Sequence, residues 1–161
     1  MRVLGIDPGT GRLGWAVVEK EKGLERLIDC GCLETPAHTD LGIRLEYIYS
    51  ELDRLIKKLK PETASVEDLF FATNRKTAMS VAAARGVVLL VCQLNKLKVS
   101  SYTPLQIKSS LTGYGAADKK QVEFMVKQIL KIKELPQLDD TVDAIAAALT
   151  QFSFPSQIQG L

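Results

Sequence analysis

Four acidic residues in this chain are of a type, and at a spacing, that would allow them to act together in a chemical reaction. Asp7 and Glu67 each come directly after a short apolar run that is typical of a buried strand. Asp140 and Asp143 lie three positions apart at the start of a predicted helix, so both can face the same way. If the two strands are neighbours and the helix packs beside them, the four carboxylates converge on one pocket.

Four converging carboxylates are unfavourable on their own, because like charges raise one another's pKa values. Hard divalent cations make such a cluster favourable, and Mg²⁺ prefers oxygen ligands of this kind. Two such ions about 3.5–4 Å apart can activate a water molecule and stabilise the leaving oxygen of a phosphodiester. The acidic pattern is therefore consistent with metal-dependent cleavage of phosphodiester bonds.

Each of these residues also has an ordinary structural interpretation, and the residues alone leave it open. Asp140 can cap the last helix, where Asp is favoured, and Asp139 offers an equally good cap. Glu67 can be a surface residue at a strand end, and Asp7 can cap the turn that follows it. Convergence of the four carboxylates is what would distinguish the metal interpretation from these alternatives.

The apolar pattern along the chain predicts the elements that must position the carboxylates. Three strand-like segments joined by short turns indicate an antiparallel meander, and later strands alternate with helices. This order is typical of an α/β protein with a mixed five-stranded sheet flanked by helices. Arg85 and Gly86, inside an Ala-rich helix, indicate close helix packing, either within the chain or at a dimer contact. The predicted strands cover residues 3–6, 15–18, 27–33, 64–66 and 99–102, and the predicted helices cover residues 41–59, 77–94, 104–111, 118–132 and 140–152.

Residues 9–14 match the pattern G-x-G-x-x-G, which on its own is weak evidence for a dinucleotide site. A dinucleotide site needs a helix after the loop, whereas the strand-like residues 15–18 follow here. We therefore expect a tight hairpin whose glycines have positive φ. Residues 6–10 also resemble the first phosphate motif of actin-like ATPases and sugar kinases, but those proteins carry two such domains, for which 161 residues are too few.

Length and composition narrow the class of protein. The 161 residues fit one domain, residues 1–161, that can bury a core of its own. A net charge of +2 neither implies nor excludes a nucleic-acid partner, because what matters is where the charges lie. No apolar run approaches the roughly 20 residues of a membrane helix. Three cysteines, an odd count without an export signal, lead us to expect a reducing cytoplasm.

Several segments, taken together, resemble the RuvC family of bacterial Holliday junction resolvases across nearly the whole chain. Each segment is modestly specific, whereas their order and spacing in a chain of this length are highly specific. The resemblance implies an RNase H-like fold and a homodimer with two active sites. The matching segments are residues 5–10 (GIDPGT), 66–70 (VEDLF), 84–86 (ARG), 108–121 and 140–144 (DTVDA).

The resemblance also implies the activity. Enzymes of this family nick two opposed strands of a four-way DNA junction in recombination and repair, in a reaction that depends on Mg²⁺ or Mn²⁺. We expect two ions in each active site and cooperation with the RuvA–RuvB branch-migration complex. By resemblance, the catalytic, metal-binding carboxylates are Asp7, Glu67, Asp140 and Asp143.

Three further positions match family residues that contact DNA. Lys108 and Lys119 match lysines that lie near the DNA backbone, and Phe70 matches an aromatic residue that stacks on an unpaired base. Tyr114 stands where relatives carry an aliphatic residue, so we assign it no role. Other functions are a nuclease for another RNase H-like substrate, a module that binds branched DNA without cutting it, and an ATP-binding half-domain. The intact carboxylates argue against the second of these, and the chain length argues against the third.

Overall fold

Five strands form one mixed sheet in the part of the chain that the computed structural model describes, residues 1–68 and 75–154. In chain order the elements are strands β1 (Arg2–Asp7), β2 (Arg12–Glu21) and β3 (Leu24–Glu34), helix α1 (Leu41–Leu59), strand β4 (Thr63–Glu67), helix α2 (Arg75–Leu94), strand β5 (Lys98–Tyr102), and helices α3 (Pro104–Thr112), α4 (Lys119–Leu130) and α5 (Asp139–Ser153). Their order across the sheet is β3-β2-β1-β4-β5. Strands β1 to β3 pair antiparallel, whereas β4 and β5 continue the sheet parallel to β1. This topology confirms the predicted meander, the mixed five-stranded sheet and the order of the elements.

The sheet has a hydrophobic core on each face, because side chains alternate along its central strands. Leu4 and Ile6 of β1 join the core under α1 and α2, where Ile48 and Leu52 are fully buried. Val3 joins the core under α3, α4 and α5 on the other face. The residues of β1 that share this second face therefore look toward α5.

Helix α5 lies unusually close to the sheet because glycine stands at two of its contact points. A Cβ added at Gly5 in β1 would overlap the backbone oxygen of Ala144. A Cβ added at Gly14 in β2 would overlap the backbone oxygen of Asp140 in the first turn of α5. The two glycines thus fix the distance between the sheet and the helix that carries two of the predicted site residues.

The loop between β1 and β2 forms the predicted hairpin, in which Asp7 pairs with Gly14. Its glycines, however, are not required for a left-handed backbone conformation. None of the loop glycines has positive φ, so that part of the prediction is wrong. At Gly9 the constraint is space, since a Cβ there would overlap the backbone oxygen of Arg12. The loop is also tied to the chain beyond β3, where the Thr35 hydroxyl donates to the backbone oxygen of Thr10 over 2.6 Å.

All five helices begin within two residues of their predicted starts, but α5 is not capped as the sequence suggested. Asp118 caps α4, with its side chain accepting a hydrogen bond from the backbone N–H of Gln121. At α5 the capping position is Leu138, which provides no side-chain cap, so neither Asp139 nor Asp140 is the cap. Both acids lie inside the first turn, where a negative charge is favoured by the helix dipole.

The expectations about cysteine pairing and about membrane helices can be compared with the structure. Cys30, Cys32 and Cys92 are all free thiols, so no disulfide framework is present. Within the two described ranges, none of the helices combines the length and the apolar character that crossing a bilayer requires.

We predict that Gly5→Ala destabilises the fold by about 1–3 kcal/mol, because the added methyl group forces α5 away from β1. Urea unfolding of the purified variant measures this free energy. Gly42→Ala is the control, since its Cβ meets nothing within 4 Å on α1 and alanine favours a helix. Equal stability of the two variants would contradict the close approach described here.

Candidate active site

Two of the four predicted carboxylates come from adjacent parallel strands. Strands β1 and β4 pair with Ile6 opposite Val66, so Asp7 and Glu67 follow at the same edge of the sheet. Ser65 shares the face of Glu67, and its hydroxyl donates a hydrogen bond of 2.5 Å to the backbone oxygen of Ala147 in α5. Both acids therefore lie on the sheet face that α5 covers.

Helix α5 brings the other two carboxylates to this edge. Its first turn passes over Gly14, which pairs with Asp7, and so places Asp140 beside the end of β1. Asp143, one turn further, lies within electrostatic range of Asp7 and of Glu67. The convergence that the sequence left open is therefore present, and the alternative in which the four residues lie on separate surfaces is excluded.

Burial and the charges of neighbouring acids raise the pKa values of Asp7 and Glu67 toward neutral pH. Burial raises the pKa of Asp7 to about 7, with further increases from the charges of Asp143 and Asp140. Burial likewise raises the pKa of Glu67 to about 8, helped by Asp7 and Asp143. The pKa of Asp143 is also raised by burial, an effect that Lys119 opposes. Perturbed acids of this kind, gathered in a cleft, are typical of functional sites.

The chemistry of the donor set fits hard divalent cations. Carboxylate oxygens are the ligands that Mg²⁺ and related ions prefer, and a cation would remove the repulsion that raises the pKa values. Within residues 1–68 and 75–154, however, no three His, Cys, Asp or Glu side chains form a finished metal-binding group. The carboxylates are gathered at one edge of the sheet, and side-chain rotations would have to bring their oxygens onto a shared ion.

Two lysines border the acidic cluster. Lys108 of α3 and Lys119 of α4 line a cleft of about 240 Å³ together with Glu67 and Asp143. The Lys119 ammonium lies 2.8 Å from a carboxylate oxygen of Asp139. Burial would lower the pKa of Lys119, but the Asp139 hydrogen bond and the neighbouring carboxylates raise it overall. Lys119 therefore stays charged beside the acids, ready to face a phosphate.

Two other positions considered from the sequence are Phe70 and Tyr114. Phe70 lies outside the described residues. Tyr114 is exposed and lines a separate open cavity with Phe124 and Lys120.

Sequence reasoning missed two polar contacts of the site. One is the ion pair between Asp139 and Lys119, where we considered only a cap for the acid. The other is Arg12, whose guanidinium lies 3.8 Å from Asp140. The signal for Arg12 was its place two residues before Gly14, on the same face of β2.

Comparison with known proteins gives a consistent result over nearly the whole chain. The family model described as "Crossover junction endodeoxyribonuclease RuvC" matches residues 3–151. A protein of that name from Caldicellulosiruptor saccharolyticus is 43% identical over 98% of this chain and 96% of its own length. Another from Roseiflexus sp. is 47% identical over 92% of this chain and 88% of its own length.

A solved structure extends the similarity to the fold. The chain of T. thermophilus RuvC in complex with a Holliday junction substrate superimposes with a TM-score of 0.91 and 34% sequence identity. The match covers 96% of this chain and 94% of that one. The RNase H-like fold that the sequence predicted is thereby confirmed.

We predict that, in the presence of a chelator, the free energy of unfolding falls as the pH rises from about 4 toward 8. Asp7 and Glu67 have folded-state pKa values of about 7 and 8, above their ordinary values of 3.8 and 4.5, so the folded state binds protons more tightly. The stability they contribute is complete below pH 4 and is lost as the pH passes through these raised pKa values. Urea unfolding at pH 5, 6.5 and 8 measures the trend.

Asp7→Asn tests the origin of that trend, because the amide removes one of the repelling charges. The variant should be more stable than the wild type at pH 8 by about 1–3 kcal/mol and should show a flatter pH profile. Glu46→Gln, an exposed position on α1, is the control and should follow the wild type. A wild-type profile that does not fall between pH 5 and 8 would contradict the shared acidic pocket.

Proposed function

The chain belongs to the RuvC family of crossover junction endodeoxyribonucleases, and from that premise we propose that Asp7, Glu67, Asp140 and Asp143 are its catalytic, metal-binding carboxylates. The chain is an endonuclease that resolves Holliday junctions, and its relatives are named for the same activity. One observation supports the assignment of the site most directly: half-buried carboxylates with raised pKa values gather at one edge of the sheet. That arrangement is costly unless a cation or a ligand uses it.

Divalent cations in this pocket would neutralise the carboxylates and the substrate phosphate and would make a water molecule more acidic. We propose Mg²⁺ or Mn²⁺, with two ions in each active site, because all four carboxylates are hard oxygen ligands. Asp7 and Glu67 hold their positions from the rigid sheet, whereas Asp140 and Asp143 hold theirs from α5. The substrate phosphate therefore enters between two elements whose separation is fixed by packing.

The lysines act on the phosphate from one side. Lys119 lies at the start of α4, held by Asp139, and can offset the charge that develops on the phosphate. Lys108 lies close enough to Glu67 to lower the pKa of that acid, so it brings positive charge to the same cleft. Both lysines are proposed to contact the DNA backbone near the cleaved bond, and a role for Phe70 in stacking on an unpaired base stays a prediction.

A homodimer is the second part of the proposal, since two opposed strands of a junction require two active sites. Helix α2 carries an exposed apolar face in which Met79, Leu90 and Leu94 are 79%, 52% and 58% exposed. Gly86 lies between them, and among the described residues nothing comes within 4 Å of the position that its Cβ would take. Steps of seven, four and four residues place these positions on one side of the helix. A second copy of the chain, with its own α2, fits this face.

A cleavage assay on a synthetic four-way junction distinguishes the main proposal from two alternative functions. A nuclease for another nucleic acid would cut duplex or RNA-containing substrates as fast as a junction. A binding module would hold the junction without cutting it. Cooperation with the RuvA–RuvB complex and a cytoplasmic location stay predictions that rest on the family resemblance and the cysteine content.

We predict that the wild-type protein cuts a labelled synthetic four-way junction in Mg²⁺ or Mn²⁺ and not in chelator. Asp7→Asn should lower the cleavage rate by more than about 100-fold, since loss of mere supporting partners around metal ligands already costs 10–100-fold. Junction binding should persist, because removing a negative charge does not weaken contacts to phosphate. Asp29→Asn is the control, as this acid lies beside Lys58 of α1. Loss of binding together with cleavage in a folded Asp7→Asn variant would contradict a catalytic role.

We predict that Leu90→Glu converts the protein to monomers, because the charge would be buried at the proposed contact between two α2 helices. Sedimentation equilibrium gives the mass directly. On a cruciform plasmid, the variant should give nicked circles in place of the linear product of paired cuts. Leu24→Glu, on a leucine that is 60% exposed at the start of β3, is the control. A dimeric Leu90→Glu protein would refute this contact.

A further inference from the structure

Arg12 is a cation at the edge of the acidic cluster that the proposed function does not use. It begins β2 and shares a face with Gly14, the residue over which the first turn of α5 passes. Its side chain therefore emerges on the sheet face that carries Asp7. The arginine lies on the β3 side of the carboxylates, whereas Lys108 lies on the β5 side, in helix α3, which directly follows β5.

The backbone around Arg12 is anchored. The backbone N–H of Thr35 donates to the oxygen of Gly11 over 3.0 Å, and the Arg44 side chain donates to the Thr35 hydroxyl over 2.7 Å. These bonds join the hairpin loop to the chain beyond β3 and to α1. The root of the Arg12 side chain is thus held in place while its end reaches into solvent.

The guanidinium itself is held loosely. It lies 3.8 Å from a carboxylate oxygen of Asp140 and 3.9 Å from one of Glu34, both longer than a hydrogen bond. The side chain is 57% exposed, and exposed pairs of this kind contribute little stability. Releasing Arg12 from these two acids therefore costs little free energy.

A phosphate is the ligand that suits a guanidinium in this position. Arginine binds phosphate through two parallel hydrogen bonds, which are stronger than either long ion pair seen here. Neighbouring strands lie about 4.8 Å apart, so roughly 10 Å separates β2 from β4 across the carboxylate cluster. A DNA strand crossing the pocket spans that distance with a few nucleotides. Its phosphates would meet lysine on one side and arginine on the other.

We propose that Arg12 binds a phosphate of the cleaved strand on the β3 side of the active site. When DNA enters, its guanidinium leaves Asp140 and Glu34 to make this contact. The proposal rests on the proposed function, because it places the DNA strand across the acidic cluster. It adds a second positively charged border to the site and assigns a chemical role to the hairpin loop. In this proposal Arg12 binds the DNA strand and fixes its register, whereas the carboxylates take part in the cleavage reaction.

The test is the salt dependence of junction binding in chelator, where no cleavage occurs. Each phosphate contact contributes about 0.9 to the slope of log affinity against log salt concentration. Arg12→Gln should lower the slope by about that amount and weaken binding to junctions of any sequence. Arg54→Gln is the matched control, since that arginine is 61% exposed and paired with Glu51 on α1, away from the site. Arg12→Lys should retain the slope of the wild type, because it keeps the charge.

The outcomes separate this proposal from the proposed function. A lower slope for Arg12→Gln, with Arg54→Gln and Arg12→Lys like the wild type, supports the phosphate contact. An unchanged slope for a folded Arg12→Gln protein overturns it and leaves Arg12 only as a partner of Asp140 and Glu34. A lower slope for Arg12→Lys as well would also overturn it, because the slope would then not follow the charge. Failure of the wild type to bind or cut junctions would instead refute the proposed function.

Discussion

Repulsion between half-buried carboxylates is the interaction on which the rest of this structure depends. Asp7 and Glu67 both have pKa values near neutrality because burial and neighbouring acids disfavour their charged forms. Something must hold such groups together against that repulsion, and the backbone does so. Strand pairing fixes Asp7 beside Glu67, and a helix packed on glycine brings its own acids to the same edge. The packing of the strands and of α5 therefore offsets the free-energy cost of bringing these acids together.

The positive charges are arranged around that cluster in a way that net charge does not reveal. The chain as a whole carries only +2, yet Lys108 and Lys119 line a cleft beside the acids and Arg12 lies near Asp140 at the β3 side. Positive borders around a negative centre can hold a polyanion while leaving its centre accessible to cations. Both features are needed if one surface is to bind DNA and carboxylates are to act on it.

Much of this arrangement could be predicted from sequence because it follows from local patterns. Apolar runs located the strands before Asp7 and Glu67, and the spacing of Asp140 and Asp143 placed both on one side of a helix. What could not be predicted depends on contacts between distant segments. The hairpin glycines suggested positive φ, whereas Gly14 is needed for the approach of α5, some 125 residues further along the chain. Arg12 was overlooked for the same reason, since only the folded sheet brings it to Asp140.

The direct contact of α5 with Gly5 and Gly14 makes the width of the pocket a property of the main chain. Side-chain substitution at the acids can lengthen or shorten a ligand by one methylene, but it cannot move the two walls apart. An ion such as Ca²⁺, with oxygen distances of about 2.3–2.6 Å in place of about 2.0–2.1 Å, needs more ligands and more room. Redesigning this scaffold for a larger ion therefore begins at the two glycines, where a single methyl group changes the separation of strand and helix.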